Sequence, residues 1–80
     1  QDLAALSNRG AAYMMMDEMD NAMTDLNMAI ALNPGFADAY AHRGLVKQAL
    51  GDMTGACEDW NQAYTNGSVA ARDLIVKFCK

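Results

Sequence analysis

Proline occurs once in this chain, at Pro34, so little interrupts helix formation on either side of it. Basic residues are also scarce: six Lys and Arg stand against ten Asp and Glu, for a formal charge of −4, and no basic run exists. A nucleic-acid partner wants Lys and Arg clustered on one face, so that class is not expected. No apolar run approaches the roughly 18 residues that a membrane span requires, and no charged-then-apolar leader is present, so no membrane role is expected either. Two cysteines, Cys57 and Cys79, are too few for the disulfide framework of a small secreted domain. They read as one small buried thiol on a helix and one thiol near a terminus, with a single bridge open to them in an oxidising compartment. A glycine-rich phosphate loop, cysteines paired at zinc spacing and a carboxylate pair in an apolar pocket are all missing. Asp17, Glu18 and Asp20 lack the ligand spacing and central glycine of a calcium loop. No metal and no cofactor is expected.

What is present is a chain of 80 residues, 52% of them hydrophobic, which places it among folded single domains near the lower limit for one core. It opens on Gln1 and not on Met, so it reads as a fragment, a processed form or an engineered version, and that end is no guide to its compartment. A soluble chain is expected, with the cytoplasm favoured over the periplasm.

Self-similarity organises the rest. At a spacing of 34 residues Ala5 matches Ala39, Arg9 matches Arg43, Gly10 matches Gly44 and Met19 matches Met53. The same register pairs Ala22 with Ala56, Asp25 with Asp59, Asn27 with Asn61 and Ala29 with Ala63. Met19, Ala22, Met23, Leu26, Ala29 and Ile30 follow helical steps, and Met53, Ala56, Cys57, Trp60, Ala63 and Tyr64 repeat them. Breakers fall at Asp17-Glu18, at Asn33-Pro34-Gly35 and at Gly51-Asp52, where Asp52 is a candidate N-cap. The spacing predicts helices over about 2–15, 19–32, 36–50, 53–65 and 68–79. Gly10 with Ala22, and Gly44 with Ala56, sit where paired helices cross and lack the bulk that would hold them apart. Leu6, Tyr13, Leu26, Tyr40 and Trp60 fill the remaining space.

This order of large, small and proline positions resembles the tetratricopeptide repeat. The first unit carries Leu6, Gly10, Tyr13, Ala22, Leu26, Ala29 and Pro34 at the family's places, and the second carries Tyr40, Gly44, Ala56, Trp60 and Ala63. Lys47 departs from the usual aromatic, and Thr65-Asn66-Gly67-Ser68 replaces the expected proline ending. The stretch from Gly55 to Cys79 is similar to terminal repeats of some bacterial members. The resemblance implies an all-α fold of antiparallel helix hairpins, an α-solenoid of five helices in a right-handed superhelical stack. One domain spans 1–80, with a first repeat at about 3–36, a second at about 37–68 and a closing helix at about 68–79.

It also implies a protein-interaction module that binds a peptide or protein surface in a concave groove lined by the first helix of each hairpin. Carried onto this chain, the groove takes Ala4, Ser7, Asn8, Ala11, Met14 and Met15 from the first hairpin. The second hairpin gives Asp38, Ala41, His42, Leu45, Gln48 and Ala49. One subgroup of the family clamps the C-terminal carboxylate of chaperones with Lys, Arg and Asn. The matching places here hold Ser7, Ala11 and His42, with Arg72 the one charge nearby, so that clamp is not encoded.

Other readings of the same residues were weighed. Seven methionines could suggest a Cu(I) site. The repeat instead places Met16, Met19, Met23 and Met53 in the core, and leaves Met14 and Met15 for a binding surface. His42, the single histidine, could pair with Cys57 or Ser7, but no third orienting group is evident and an enzyme is not expected. The alternative function is a self-assembling or architectural unit that forms a homodimer through its open ends, at Leu3, Ile75, Val76 and Phe78.

Overall fold

The computed structural model describes residues 2–79, and among them five helices and no strand are found. They are α1 (Leu3–Met15), α2 (Met19–Leu32), α3 (Ala37–Ala49), α4 (Met53–Thr65) and α5 (Val69–Phe78), each within a residue or so of its expected bounds. The starts are set by capping side chains. Asp2 accepts from the amides of Ala4 and Ala5 at 3.0 and 3.3 Å, and Asp52 accepts from that of Gly55 at 2.9 Å, as expected of it. Ser68 accepts from Ala71 N–H at 3.2 Å. Each satisfies amides that a helix start leaves without a partner.

One turn closes α1, α3 and α4 alike. Asp17, Gly51 and Gly67 have φ of 61°, 87° and 106°. The next residue's N–H then returns to a carbonyl five residues back: Glu18 to Tyr13 at 2.8 Å, Asp52 to Lys47 at 2.8 Å and Ser68 to Ala63 at 2.9 Å. This is the left-handed C-terminal cap that glycine favours, and Asp17 takes it with a short polar side chain.

The hairpins close on the small residues. A β-carbon on Gly10 would lie 2.8 Å from Leu26 Cγ, and one on Gly44 would collide with the Trp60 indole and come within 3.1 Å of the Ala56 carbonyl. Leu26 and Trp60 are fully buried, each against its own glycine. Two apolar clusters result. Leu6, Ala22, Leu26, Ala29, Ala39 and Val46 make the first, and Ala56, Trp60, Ala63 and Ala71 the second. The Trp60 indole N–H donates to the Ala41 carbonyl at 3.3 Å.

Two expectations are corrected. Met16 is 58% exposed and is not a core residue, because α1 ends at Met15 and Met16 caps it from outside. Met19, Met23 and Met53 do pack against the clusters, each half-buried. Cys57 and Cys79 are joined by a disulfide, with Cα atoms 5.8 Å apart, and are not separate thiols. The return of α5 onto α4 brings them together.

Candidate functional site

Helix α1 packs on α2, α3 packs on α2 and α4, and α5 packs on α4, while α1 also touches α3. The helices α1 and α3 are thus neighbours with α2 packed against both, and α4 carries α3 and α5. The open side of α1 and α3 is the candidate site.

On α1, Ala4, Asn8 and Met15 are exposed, while Ala11 and Met14 are half-buried. Met14 packs partly against the first cluster, so only part of its thioether is available. On α3, Asp38 and Ala49 are exposed, and Ala41, His42, Leu45 and Gln48 are half-buried. Leu45 and Ala41 lean on the second cluster. Ser7 departs from its expected place. It is 1% exposed, and its hydroxyl lies 2.9 Å from His42 Nδ1. It therefore supports His42 from beneath and offers nothing to a ligand directly.

Burial lowers the pKa of His42 from its ordinary 6.5, and the nearby Asp38 charge opposes the change. The Ser7 hydroxyl can donate to Nδ1 of the neutral ring or accept from it, according to the tautomer. The sign follows: a group whose folded pKa is lowered contributes stability above its unfolded value, and that contribution is lost as pH falls. Melting temperature is therefore expected to decline as pH drops from about 7 toward 5, and His42→Gln should flatten this decline. An unchanged slope in the variant would assign the acid sensitivity elsewhere. Asp25, held low by its hydrogen bonds to Arg9, adds a second loss with the same sign at lower pH, through the carboxylate range.

The pairing of His42 with Ser7 has no catalytic geometry. The hydroxyl is sealed from solvent, and Cys57, the other candidate partner, is spent in the disulfide. Among the described residues no three His, Cys, Asp or Glu side chains gather as metal ligands would. None of the helices is long and apolar enough to cross a membrane.

What the sequence pattern did not expose is a set of ionic ties behind the site. Arg9 Nε and Nη2 donate to Asp25 at 2.6 and 2.8 Å, and Arg43 Nε and Nη2 donate to Asp59 at 2.9 and 2.8 Å. Arg43 Nη1 also reaches Asn27 of the preceding hairpin at 3.0 Å, and Lys47 pairs with Asp59 at 3.1 Å. The signal was present, since Arg and Asp recur together at the same separation of 16 residues in both units. Lys47 thus exchanges the packing of an aromatic for a second cation on Asp59.

The residues considered for self-association divide. Leu3 and Ile75 are half-buried and pack inward. Val76 is 70% exposed, and Phe78 shows one edge to solvent while its ring centroid lies 5.8 Å from that of Trp60.

Comparison with known proteins agrees with the fold. The family model described as tetratricopeptide repeat matches residues 3–36. RNA polymerase II-associated protein 3 of Xenopus tropicalis is 43% identical over 56 residues, covering 70% of this chain and 8% of that protein. Human mitochondrial import receptor subunit TOM70 is 36% identical over 58 residues, 72% of this chain and 10% of its own. This chain therefore spans about a tenth or less of these relatives, and both come from vertebrates, which lends no support to the expected bacterial likeness. Among solved structures, the first TPR of Spaghetti (RPAP3) bound to HSP90 peptide SRMEEVD matches with a TM-score of 0.85 and 26% identity, over 96% of this chain and 63% of that one.

Proposed function

Since this chain belongs to the tetratricopeptide repeat family, we propose that it is a protein-interaction module whose α1–α3 face binds a peptide of low charge. The observation that carries the reading is the composition of that face. Asn8, Ala11, Met14, Met15, His42, Leu45 and Gln48 of α1 and α3 all keep some exposure to solvent, which supports assigning them to that face. The amides of Asn8 and Gln48 stand there with the thioethers of Met14 and Met15, which adapt their shape to an apolar side chain. Amides of Asn and Gln can bond the backbone of an extended peptide.

The relative whose structure contains the HSP90 peptide SRMEEVD gives the proposal its contrast. That peptide ends in an acidic run and a free carboxylate. In this chain the positions that match the family's carboxylate clamp hold Ser7, Ala11 and His42. Ser7 is buried, Ala11 has no polar group, and burial favours the neutral form of His42. Arg72 on α5, the cation assigned near those positions, lies 3.8 Å from Asp73, and the chain as a whole carries −4. Coulomb repulsion therefore disfavours an acidic ligand, and no clamp offsets it.

The test is a titration by heteronuclear NMR with two peptides, SRMEEVD and its C-terminally amidated analogue SRMQQVN, which keeps the arginine and lacks every carboxylate. The analogue is expected to bind at least as well as the acidic form, with a Kd of about 100 µM or weaker because two hairpins bury little surface. Shifts should centre on Asn8, Met15, His42 and Gln48. A tenfold or larger preference for SRMEEVD would mean that this face reads charge after all (about 1.4 kcal/mol). If neither peptide binds, the interaction reading itself fails.

A further inference from the structure

Helix α5 is the element with the least non-covalent hold. It runs for ten residues, and Ala71 is its one fully buried side chain. Leu74 and Ile75 pack partly against the second cluster, while Val69 and Val76 are 66% and 70% exposed. A helix of this length has little stability of its own and depends on what it docks against. Yet it completes the second core, because Phe78 stacks near the fully buried ring of Trp60, the single tryptophan of the chain.

A covalent link secures its last turn. Cys79 caps α5 and is bonded to Cys57 in the middle of α4, 22 residues away. Neither cysteine is sealed from solvent. Both are half-buried and line an open hollow of about 420 Å³, together with Met53, Thr54, Glu58, Asn61 and Phe78. A small thiol reaches the bond from there, and no other cysteine exists in the chain to exchange with it.

We propose that the Cys57–Cys79 bridge is a redox latch on α5 that regulates the peptide-binding face. The proposal rests on the interaction reading above. In the oxidised chain, α5 is held against α4, and its docking keeps Trp60 and the cluster around it in place. A dithiol reductant opens the latch. Its thiolate attacks one cysteine sulfur, the S–S bond breaks and a mixed disulfide forms. The reductant's second thiol then displaces that sulfur and leaves as an internal disulfide. Two electrons pass to the chain, and Cys57 and Cys79 each end with a proton. Once the link is gone, the constraint on the segment between cysteines 22 positions apart is gone too. Helix α5 then undocks for a substantial fraction of the time. Leu45 and Ala41, which belong to the binding face, share a cluster with Trp60, Leu74 and Ile75 and lose their support with it.

The experiment measures Trp60 emission and the affinity for the amidated SRMQQVN peptide, before and after dithiothreitol, on the whole chain. On reduction the emission maximum is expected to shift to the red as water reaches the indole. Affinity is expected to fall about threefold or more as the competent state is depopulated. The double variant Cys57→Ser, Cys79→Ser should match the reduced chain without any reductant, with its helical circular dichroism largely retained. Equal emission and equal affinity in both redox states overturn the latch. An oxidised chain that binds no peptide instead overturns the interaction reading, and the two failures are told apart by the oxidised sample alone.

Discussion

Replacing Trp60 with alanine is expected to remove about 3–5 kcal/mol of the chain's stability. The indole is completely buried, it is the largest side chain of the second cluster, and its N–H is bonded to the Ala41 carbonyl. Truncating a buried aromatic costs about 3–5 kcal/mol through lost transfer energy and the cavity left behind. A chain of this size has a total stability of about 4–12 kcal/mol, so the loss consumes a large share of it. Gly44 gives the prediction its internal control. That glycine exists in α3 because the indole lies directly over it, whereas Gly10 in α1 faces Leu26 at the equivalent place. Trp60→Leu therefore installs the side chain that the first hairpin already uses, and it should cost about 2 kcal/mol, well under the alanine change. Urea unfolding followed by circular dichroism measures both. An alanine variant that loses less than about 1.5 kcal/mol would mean that the second cluster collapses around the gap.

A second large effect is expected at Asp59. Its carboxylate is almost buried, takes two hydrogen bonds from Arg43 and pairs with Lys47 as well. Asp59→Ala strands both cations against the second hairpin and also loosens the hold of Arg43 on Asn27. Removing one partner of a largely buried ion pair costs about 3–5 kcal/mol, and the lower end applies because both cations retain some access to water. Asp25→Ala is the comparison. Arg9 has the same fork geometry, but its side chain is 60% exposed, so it re-solvates once freed. That variant should lose about 1–2 kcal/mol. Equal losses at the two sites would show that access of the cation to water does not set the cost.

Much of the fold was legible because its cues are local or periodic. Gly10 against Ala22 and Gly44 against Ala56 mark helix crossings through the absence of bulk alone, and the crossings are where the spacing put them. Asp52 was readable as a cap because a short carboxylate before an apolar stripe has few other uses. Met16 was misplaced for a reason of the same kind. Apolar periodicity continues through it, but the left-handed turn at Asp17 ends the helix one residue earlier.

What escaped the sequence depends on contacts between distant segments. The bridge from Cys57 to Cys79 requires the direction in which α5 returns, and periodicity within α5 carries no such information. Ser7 was placed on the open face by its position on α1, but the His42 ring covers it. The Arg–Asp ties recur in both hairpins, yet a repeat marks residues as equivalent without saying which pairs with which. Four of the candidate residues, Asn8, Met15, His42 and Gln48, keep solvent access on the α1–α3 face, and these are the ones the peptide titration addresses.

Polar ties from three other helices converge on α3. His42 is joined to Ser7 of α1, Arg43 to Asn27 of α2 and to Asp59 of α4, and the Ala41 carbonyl to Trp60 of α4. Those three α3 residues are consecutive, and they fan out around one turn toward three different neighbours. A solenoid is usually pictured as a row in which each unit knows only the one beside it. This one is wired as a hub instead: a displacement of α3 by a ligand on its open face is felt at the same moment by both flanking hairpin cores.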